Sequence, residues 1–226
     1  MTSINTWFIS DTHFGHPGIL RFHEKRRILC GTTLEELNET PSVALDKHDK
    51  WLVNLWNSTV KKRDNIYILG DVSWVNRERT KKIIEKLHGT KFLIRGNHDK
   101  SIKGLENYFE FVGDIKEATF TNNQYDFIDP KETFCVEMCH YPMLTWNRRP
   151  HGTVMLHGHC HGAIDDLNTN SLELRVDAGL DGNLSGYEFI NIEKLYNYFL
   201  RIRNAAGCST FAEYQEWLMK QQRLRM

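Results

Sequence analysis

Three short apolar runs in the first hundred residues each break off in residues suited to chemistry. Trp7-Phe8-Ile9 ends in Ser10-Asp11-Thr12-His13, Ile66-Tyr67-Ile68-Leu69 ends in Gly70-Asp71, and Lys91-Phe92-Leu93-Ile94 ends in Arg95-Gly96-Asn97-His98-Asp99. Runs this short, bounded by Gly and polar residues, have buried-strand length. Helical patterns lie between them. Thr40 stands where an N-cap precedes a first-turn proline, Pro41, and Ala44, His48, Trp51, Leu52 and Leu55 follow at helical spacing. Ile83, Ile84 and Leu87 mark a shorter helix that stops at Gly89. Strand and helix in alternation predict an α/β sheet with parallel strands, and such sheets place their ligands beyond the carboxyl ends of the strands.

After about residue 110 the texture changes. Phe111-Val112, Ala118-Thr119-Phe120, Tyr125-Asp126-Phe127 and Phe134-Cys135-Val136 are strand-like runs separated by Asn-rich or Pro-containing turns. Thr153-Val154-Met155-Leu156 and Leu172-Glu173-Leu174-Arg175-Val176 extend the series. With helical signal nearly absent, this half predicts a second, mainly antiparallel sheet. From about Glu193 the chain turns helical again, and Thr210-Phe211-Ala212-Glu213 forms a capping-box pattern. The tail from 201 to 226 carries five Lys or Arg against two Glu. It reads as a helical extension of residues 193–226 on a domain of residues 1–192, packed on the core.

Composition narrows the class. At 226 residues the chain is long enough to bury a core without disulfides or a structural metal. Lys and Arg total 29 and so do Asp and Glu, so the broad basic footprint of a protein that holds nucleic acid by charge is missing. No apolar stretch approaches the roughly 18 residues of a membrane span, and Met1 to Thr6 shows no secretory pattern. The cysteines (Cys30, Cys135, Cys139, Cys160, Cys208) are odd in number and form no CxxC pair, which argues against a disulfide framework or zinc knuckle. The expectation is a reduced, cytoplasmic protein.

Asp11 and His13, two apart at the end of the first run, are spaced to grip one metal ion if the segment is extended. His159 and His161, within His157-Gly158-His159-Cys160-His161, repeat that spacing, and His140 follows the Cys135-Val136 run. Each motif alone has a plainer reading. Gly-Asp is an ordinary turn, Gly-Asn-His-Asp a polar turn, and the histidine triplet a solvated loop. Taken in order, the five blocks resemble the calcineurin-like metallophosphoesterase superfamily. The Asp11-Thr12-His13-Phe14-Gly15-His16 opening is similar to that of its small single-domain phosphoesterases. The resemblance covers roughly residues 6 to 190.

It implies an α/β fold of two packed β-sheets flanked by helices, in a four-layer α/β/β/α sandwich. It also implies two divalent cations, one held by Asp11, His13 and His161 and the other by Asn97, His140 and His159, with Asp71 bridging them. Oxygen and imidazole donors without thiolate suit Mn, Fe, Zn or Ni, and the resemblance puts Mn²⁺ first. The implied activity is hydrolysis of a small phosphoester, a phosphodiester or nucleotide, by in-line attack of a metal-bridging hydroxide. In that scheme His98 assists the leaving group, and Asp99 orients His98 or supports the cluster. A nuclease or nucleic-acid end-processing phosphatase built on the same site is the alternative.

For substrate recognition, Arg148 and Arg149 within Trp146-Asn147-Arg148-Arg149-Pro150-His151 are candidates, because paired Arg beside Trp can clamp a phosphate and stack on a base. The alternative is a solvated turn. His16 and His157 stand beside motif residues, and either packing or substrate contact suits them. His23, His48 and His88 read as structural or solvent-facing, and Cys160 as a small residue on the opposite face of its strand. Nothing in the sequence fixes the oligomeric state.

Overall fold

The computed structural model describes residues 4–170, 172 and 174–224. In chain order the elements are β1 (Thr6–Ile9), α1 (Pro17–Phe22), α2 (Glu24–Cys30), α3 (Leu34–Glu39), α4 (Pro41–Thr59), β2 (Asn65–Ile68), α5 (Arg77–Ile84), β3 (Thr90–Ile94), β4 (Phe111–Gly113), β5 (Ile115–Phe120), β6 (Phe134–Cys139), β7 (Val154–His157), α6 (Asp165–Asn170), β8 (Arg175–Asp177), β9 (Ile190–Asn191), α7 (Ile192–Ala205) and α8 (Phe211–Leu224).

The apolar runs form two sheets. In the first, ordered β4-β3-β2-β1-β9, the four strands β1 to β4 are parallel and β9 joins β1 antiparallel. The second runs β5-β6-β7-β8. Period-2 alternation divides the first sheet between two cores. Ile9, Ile66, Ile68 and Leu93 pack with Leu52 and Trp56 of α4 and Ile83 and Ile84 of α5. Phe8 and Tyr67 turn the other way, into the cluster that holds Val136, Met138, Met155 and Leu156 of the second sheet. The chain is therefore α/β, with two mixed sheets packed together and flanked by helices.

The expectation of a mainly antiparallel second sheet is corrected. Only β5 and β6 pair antiparallel, while β6, β7 and β8 are parallel neighbours. The crossovers that return the chain between them hold turns, a short 3₁₀ segment (Arg149–His151) and the six-residue α6, too little helix to show as periodicity. Tyr125-Asp126-Phe127 is a turn rather than a strand. The Asn122 side chain donates to the carbonyls of Asp126 and Ile128 and closes a local loop there. Of the run 172–176, Glu173 lies outside the described residues, as do Met1 to Ser3 and Arg225 of the basic tail.

The segment after His23 folds into α2, α3 and the start of α4, with a small core of Ile19, Leu20, Leu37 and Ala44. At the other end of the chain, α7 and α8 add Leu195, Tyr196, Phe199, Ile202, Tyr214 and Leu218 to the main core. Thr210 and Glu213 cap α8 reciprocally: the Glu213 N–H donates to Thr210 Oγ1 at 3.2 Å and the Thr210 N–H to Glu213 Oε2 at 3.1 Å. Among the described residues no helix is long and apolar enough to cross a membrane.

Candidate metal centre

Because β1, β2 and β3 are parallel, the segments that follow them emerge at one edge of the first sheet. The segments after β6 and β7 meet them there. The backbone at this edge is not extended. Asp11 (φ 56°), His13 (φ 50°), Asp71 (φ 53°), His159 (φ 69°) and His161 (φ 48°) all adopt left-handed conformations. For residues with a Cβ these cost on the order of 1–3 kcal/mol each and persist only where the surroundings impose them. Here the first two loops zip together: the N–H groups of Asp11, His13 and Phe14 donate to the carbonyls of Gly70, Asp71 and Val72 at 3.0, 3.0 and 2.9 Å. The left-handed turns, rather than an extended Asp-x-His segment, bring the paired donors to one place.

Asp11, His13 and His161 converge, and Asp11, Asp71 and His140 form an overlapping group, each with its ligand atoms within 4.8 Å of one another. His13 Nε2 stands 3.6 Å from Asp11 Oδ1 and 3.7 Å from Asp71 Oδ2. Asp71 Oδ1 lies 3.6 Å from His140 Nε2, and His161 Nε2 lies 3.7 Å from Asp11 Oδ1. Asn97 joins through Oδ1, 3.0 Å from His140 Nε2. His159 is exposed, its ring 5.2 Å from that of His140, and its backbone N–H donates to Asp11 Oδ2 at 2.9 Å.

The hydrogen bonds around the cluster leave it electron-rich. His140 Nδ1 donates to the Leu69 carbonyl at 2.7 Å, so a neutral ring turns an Nε2 lone pair toward another acceptor, Asn97 Oδ1. His161 Nδ1 lies 2.7 Å from Asp181 Oδ2, which leaves its Nε2 toward Asp11. Asp11 Oδ1 and His13 Nε2 are buried without a hydrogen-bond partner. Acceptors packed against acceptors are costly unless a cation lies between them, and a carboxylate or carbonyl behind a histidine is the usual support of a metal ligand. The donor set therefore fits divalent metal. Burial pushes the Asp11 carboxyl upward, but the imidazoles of His13, His161 and His140 outweigh it and hold its pKa at about 2.

The other predicted residues divide. His98 is half-buried at the mouth, with Nε2 4.0 Å from Asp71 Oδ2. Asp99 turns its carboxylate to the backbone. Its buried carboxylate accepts from the N–H groups of Asp71, Val72 and Gly96 at 3.0, 2.8 and 2.7 Å, so it fixes the loop that carries Asp71. His16 stacks on Trp74 at 4.0 Å, and burial followed by the nearby imidazoles lowers its pKa to about 4.

Arg148 and Arg149 are not brought to the cluster by the fold. Since β6 and β7 are parallel, the connection that holds them returns to the start of β7, while the cluster sits at the far end. Arg148 Nη1 approaches Cys135 near the start of β6, roughly 16 Å of extended strand from His140 at 3.3 Å per residue. Arg149 lies over the Trp146 ring. Cys160 is part-buried in the turn after β7, not on a strand face.

Sequence reasoning missed Arg26, Asp181, Asp177 and Trp74. Arg26 is fully buried and grips Asp181 through Nε at 2.7 Å and Nη2 at 2.6 Å, behind His161. In the sequence it is one basic residue in Lys25-Arg26-Arg27, with nothing to mark it. Burial pulls the Asp181 carboxyl up and the Arg26 charge, with His161, carries it well below the usual range. His23 approaches Asp181 as well, at 3.4 Å, but the guanidinium already satisfies both carboxylate oxygens. Asp177 accepts from Gly162 and Gly179 N–H and ties the His161 turn to the end of β8. Its pKa is raised to about 6, mainly by burial.

Residues 4–192 match the family model for calcineurin-like phosphoesterases. The gene 66 protein of Mycobacterium phage L5 is 26% identical over 91% of this chain and 99% of its own length. Its counterpart from phage D29 is 27% identical over 78% and 88%. An uncharacterized protein of Methanocaldococcus jannaschii is 32% identical over 44% of the chain, a match that spans about half of the archaeal protein, 49%. The crystal structure of a protein of unknown function from Aquifex aeolicus shares the fold, with a TM-score of 0.53 and 22% identity over 87% of this chain and all of that one. The match over most of the chain, on a fold whose strand ends gather Asp and His donors, places this protein in the calcineurin-like phosphoesterase family, whose members are metal-dependent phosphoesterases.

Proposed function

We propose that the protein hydrolyses a small phosphoester, a phosphodiester or nucleotide, at two divalent cations. Asp11, His13 and His161 would hold one, and Asn97, His140 and His159 the other. The observation that carries this reading is the placement of Asp71, which turns one carboxylate oxygen to His13 and the other to His140. A single carboxylate shared in this way suits two cations acting together on a phosphoryl group. Bound there, the cations supply positive charge for the phosphoryl oxygens and acidify a water nucleophile; Mn²⁺ is the first choice for loading, and Fe, Zn and Ni suit the same donors.

The chain's own residues do the remainder. His98, open to solvent and beside Asp71, is placed to give a proton or hydrogen bond to the departing oxygen. Asp99 acts through Asp71, as a positioning residue. The net charge of zero favours a small substrate. The nuclease alternative needs a basic groove, for which the hints are Arg148, Arg149 and the basic tail; Arg148 lies near the start of β6, away from the cluster. A reducing, cytoplasmic setting suits five unpaired cysteines.

The test uses protein stripped of metal and reloaded with Mn²⁺, assayed on a poorly activated alkyl phosphodiester beside bis-p-nitrophenyl phosphate. His98→Ala should keep its metal and lose roughly 10²- to 10⁴-fold in turnover of the alkyl ester. It should lose less on the nitrophenyl ester, whose leaving group needs little help. Wild-type rates on the alkyl ester in this variant would remove His98 from the mechanism.

A further inference from the structure

Trp74 stands at the mouth of the cluster with 45% of its surface open to solvent. Its ring stacks on that of His16 at 4.0 Å and 22°, and lies 4.2 Å from the ring of His98. The ring of His13, a candidate metal ligand, is 6.5 Å away centroid to centroid, so the indole borders the cluster. The backbone beneath the indole is fixed. Its N–H donates to the Phe14 carbonyl at 2.9 Å, Ser73 pairs with Phe14 in a parallel bridge, and the Ser73 and Thr80 hydroxyls lie 3.0 Å apart. A large indole held rigid and half open leaves apolar surface in water, which is unfavourable by about 25 cal/mol per Å². Arg148 approaches Cys135 near the start of β6 rather than this rim, where the indole presents a flat ring to a ligand.

We propose that Trp74 is the stacking platform for a nucleobase, so that the substrate is a nucleoside phosphoester bound with its sugar oxygen on the His98 side. The inference rests on the phosphoesterase reading above and narrows its substrate class. Every base presents a π-face, so stacking selects nucleosides over plain sugar phosphates while discriminating weakly among the bases. His16 stacks on one face of the indole, a supporting contact for the ring that leaves the other face for a base.

The experiment is calorimetric titration of the Mn²⁺-loaded protein with the methylenephosphonate analogues of adenosine 5′-monophosphate and ribose 5-phosphate, neither of which can be cleaved at the C–P bond. Wild type should bind the nucleoside analogue roughly 5- to 150-fold more tightly, the range of a single base-on-aromatic stack. Trp74→Leu should abolish that preference and leave the sugar analogue's affinity unchanged, and Trp74→Phe should restore most of it. Equal affinities in wild type, or a preference that survives in Trp74→Leu, would overturn the proposal. So would equal weakening of both analogues, which is what loss of a merely structural ring would cause. A base preference in a protein that turns over no phosphoester would leave the stacking site standing and refute the catalytic reading instead.

Discussion

His157 and His161 show how hydrogen bonds decide what a histidine does. His161 gives Nδ1 to Asp181 and keeps Nε2 for the cluster. His157, four residues earlier, uses both nitrogens on the protein: Nδ1 lies 2.8 Å from the Gly158 carbonyl, and Nε2 faces the Asn168 amide at 3.2 Å. That arrangement requires the neutral ring, and burial pushes its pKa down to about 4. The unfolded chain would protonate this residue near 6.5, while the folded chain resists to about 4. Its contribution is therefore complete above pH 6.5 and is lost as pH falls through that window, by up to about 3 kcal/mol at 1.36 kcal/mol per pKa unit. Urea unfolding at a series of pH values in chelator should show this slope, reduced in His157→Gln. An unchanged slope would assign the acid sensitivity elsewhere. The sequence left His157 open between packing and substrate because a motif neighbour looks the same whichever way its ring turns. Asp11, His13 and Asp71 were legible, since their spacing survives as a pattern. The Arg26–Asp181 pair was not, because nothing local links residues 155 positions apart.

At the level of elements, the site depends on loops from different strands approaching until only glycine fits. A Cβ on Gly96 would meet Asp71 Oδ1, and one on Gly158 would meet Ser10 Oγ and Asp11 Oδ2. Gly158 thus lets the loop after β7 lie against the loop after β1. Gly158→Ala should cost about 1–3 kcal/mol, as overpacking of a closed site does. It should also weaken metal binding by displacing Asp11. Thermal unfolding with and without Mn²⁺ reads both effects, and a variant with wild-type stability and metal response would refute the close approach. The strands themselves were legible from their short apolar runs, and α4 from Pro41 and the Ala44, His48, Leu52 spacing. The parallel pairing of β6, β7 and β8 was not. Their crossovers carry so little helix that the usual alternation is absent.

Across the whole molecule, the two sheets share one core and one site. Phe8 and Tyr67 from the first sheet pack with Val136 and Met155 from the second, and α7 and α8 join the same cluster through Phe199 and Tyr214. The candidate ligands divide in the same way: Asp11, His13, Asp71 and Asn97 follow strands of the first sheet, while His140, His159 and His161 follow strands of the second. Cations bound between them would join the sheets where the core ends, with Asp71 as the shared ligand. The most direct test is calorimetric titration of Mn²⁺ into the stripped protein, wild type beside Asp71→Asn. The account predicts two ions per chain in wild type and at most one, bound more weakly, in the variant. One ion or none in wild type, or two bound equally well without the Asp71 carboxylate, would contradict it.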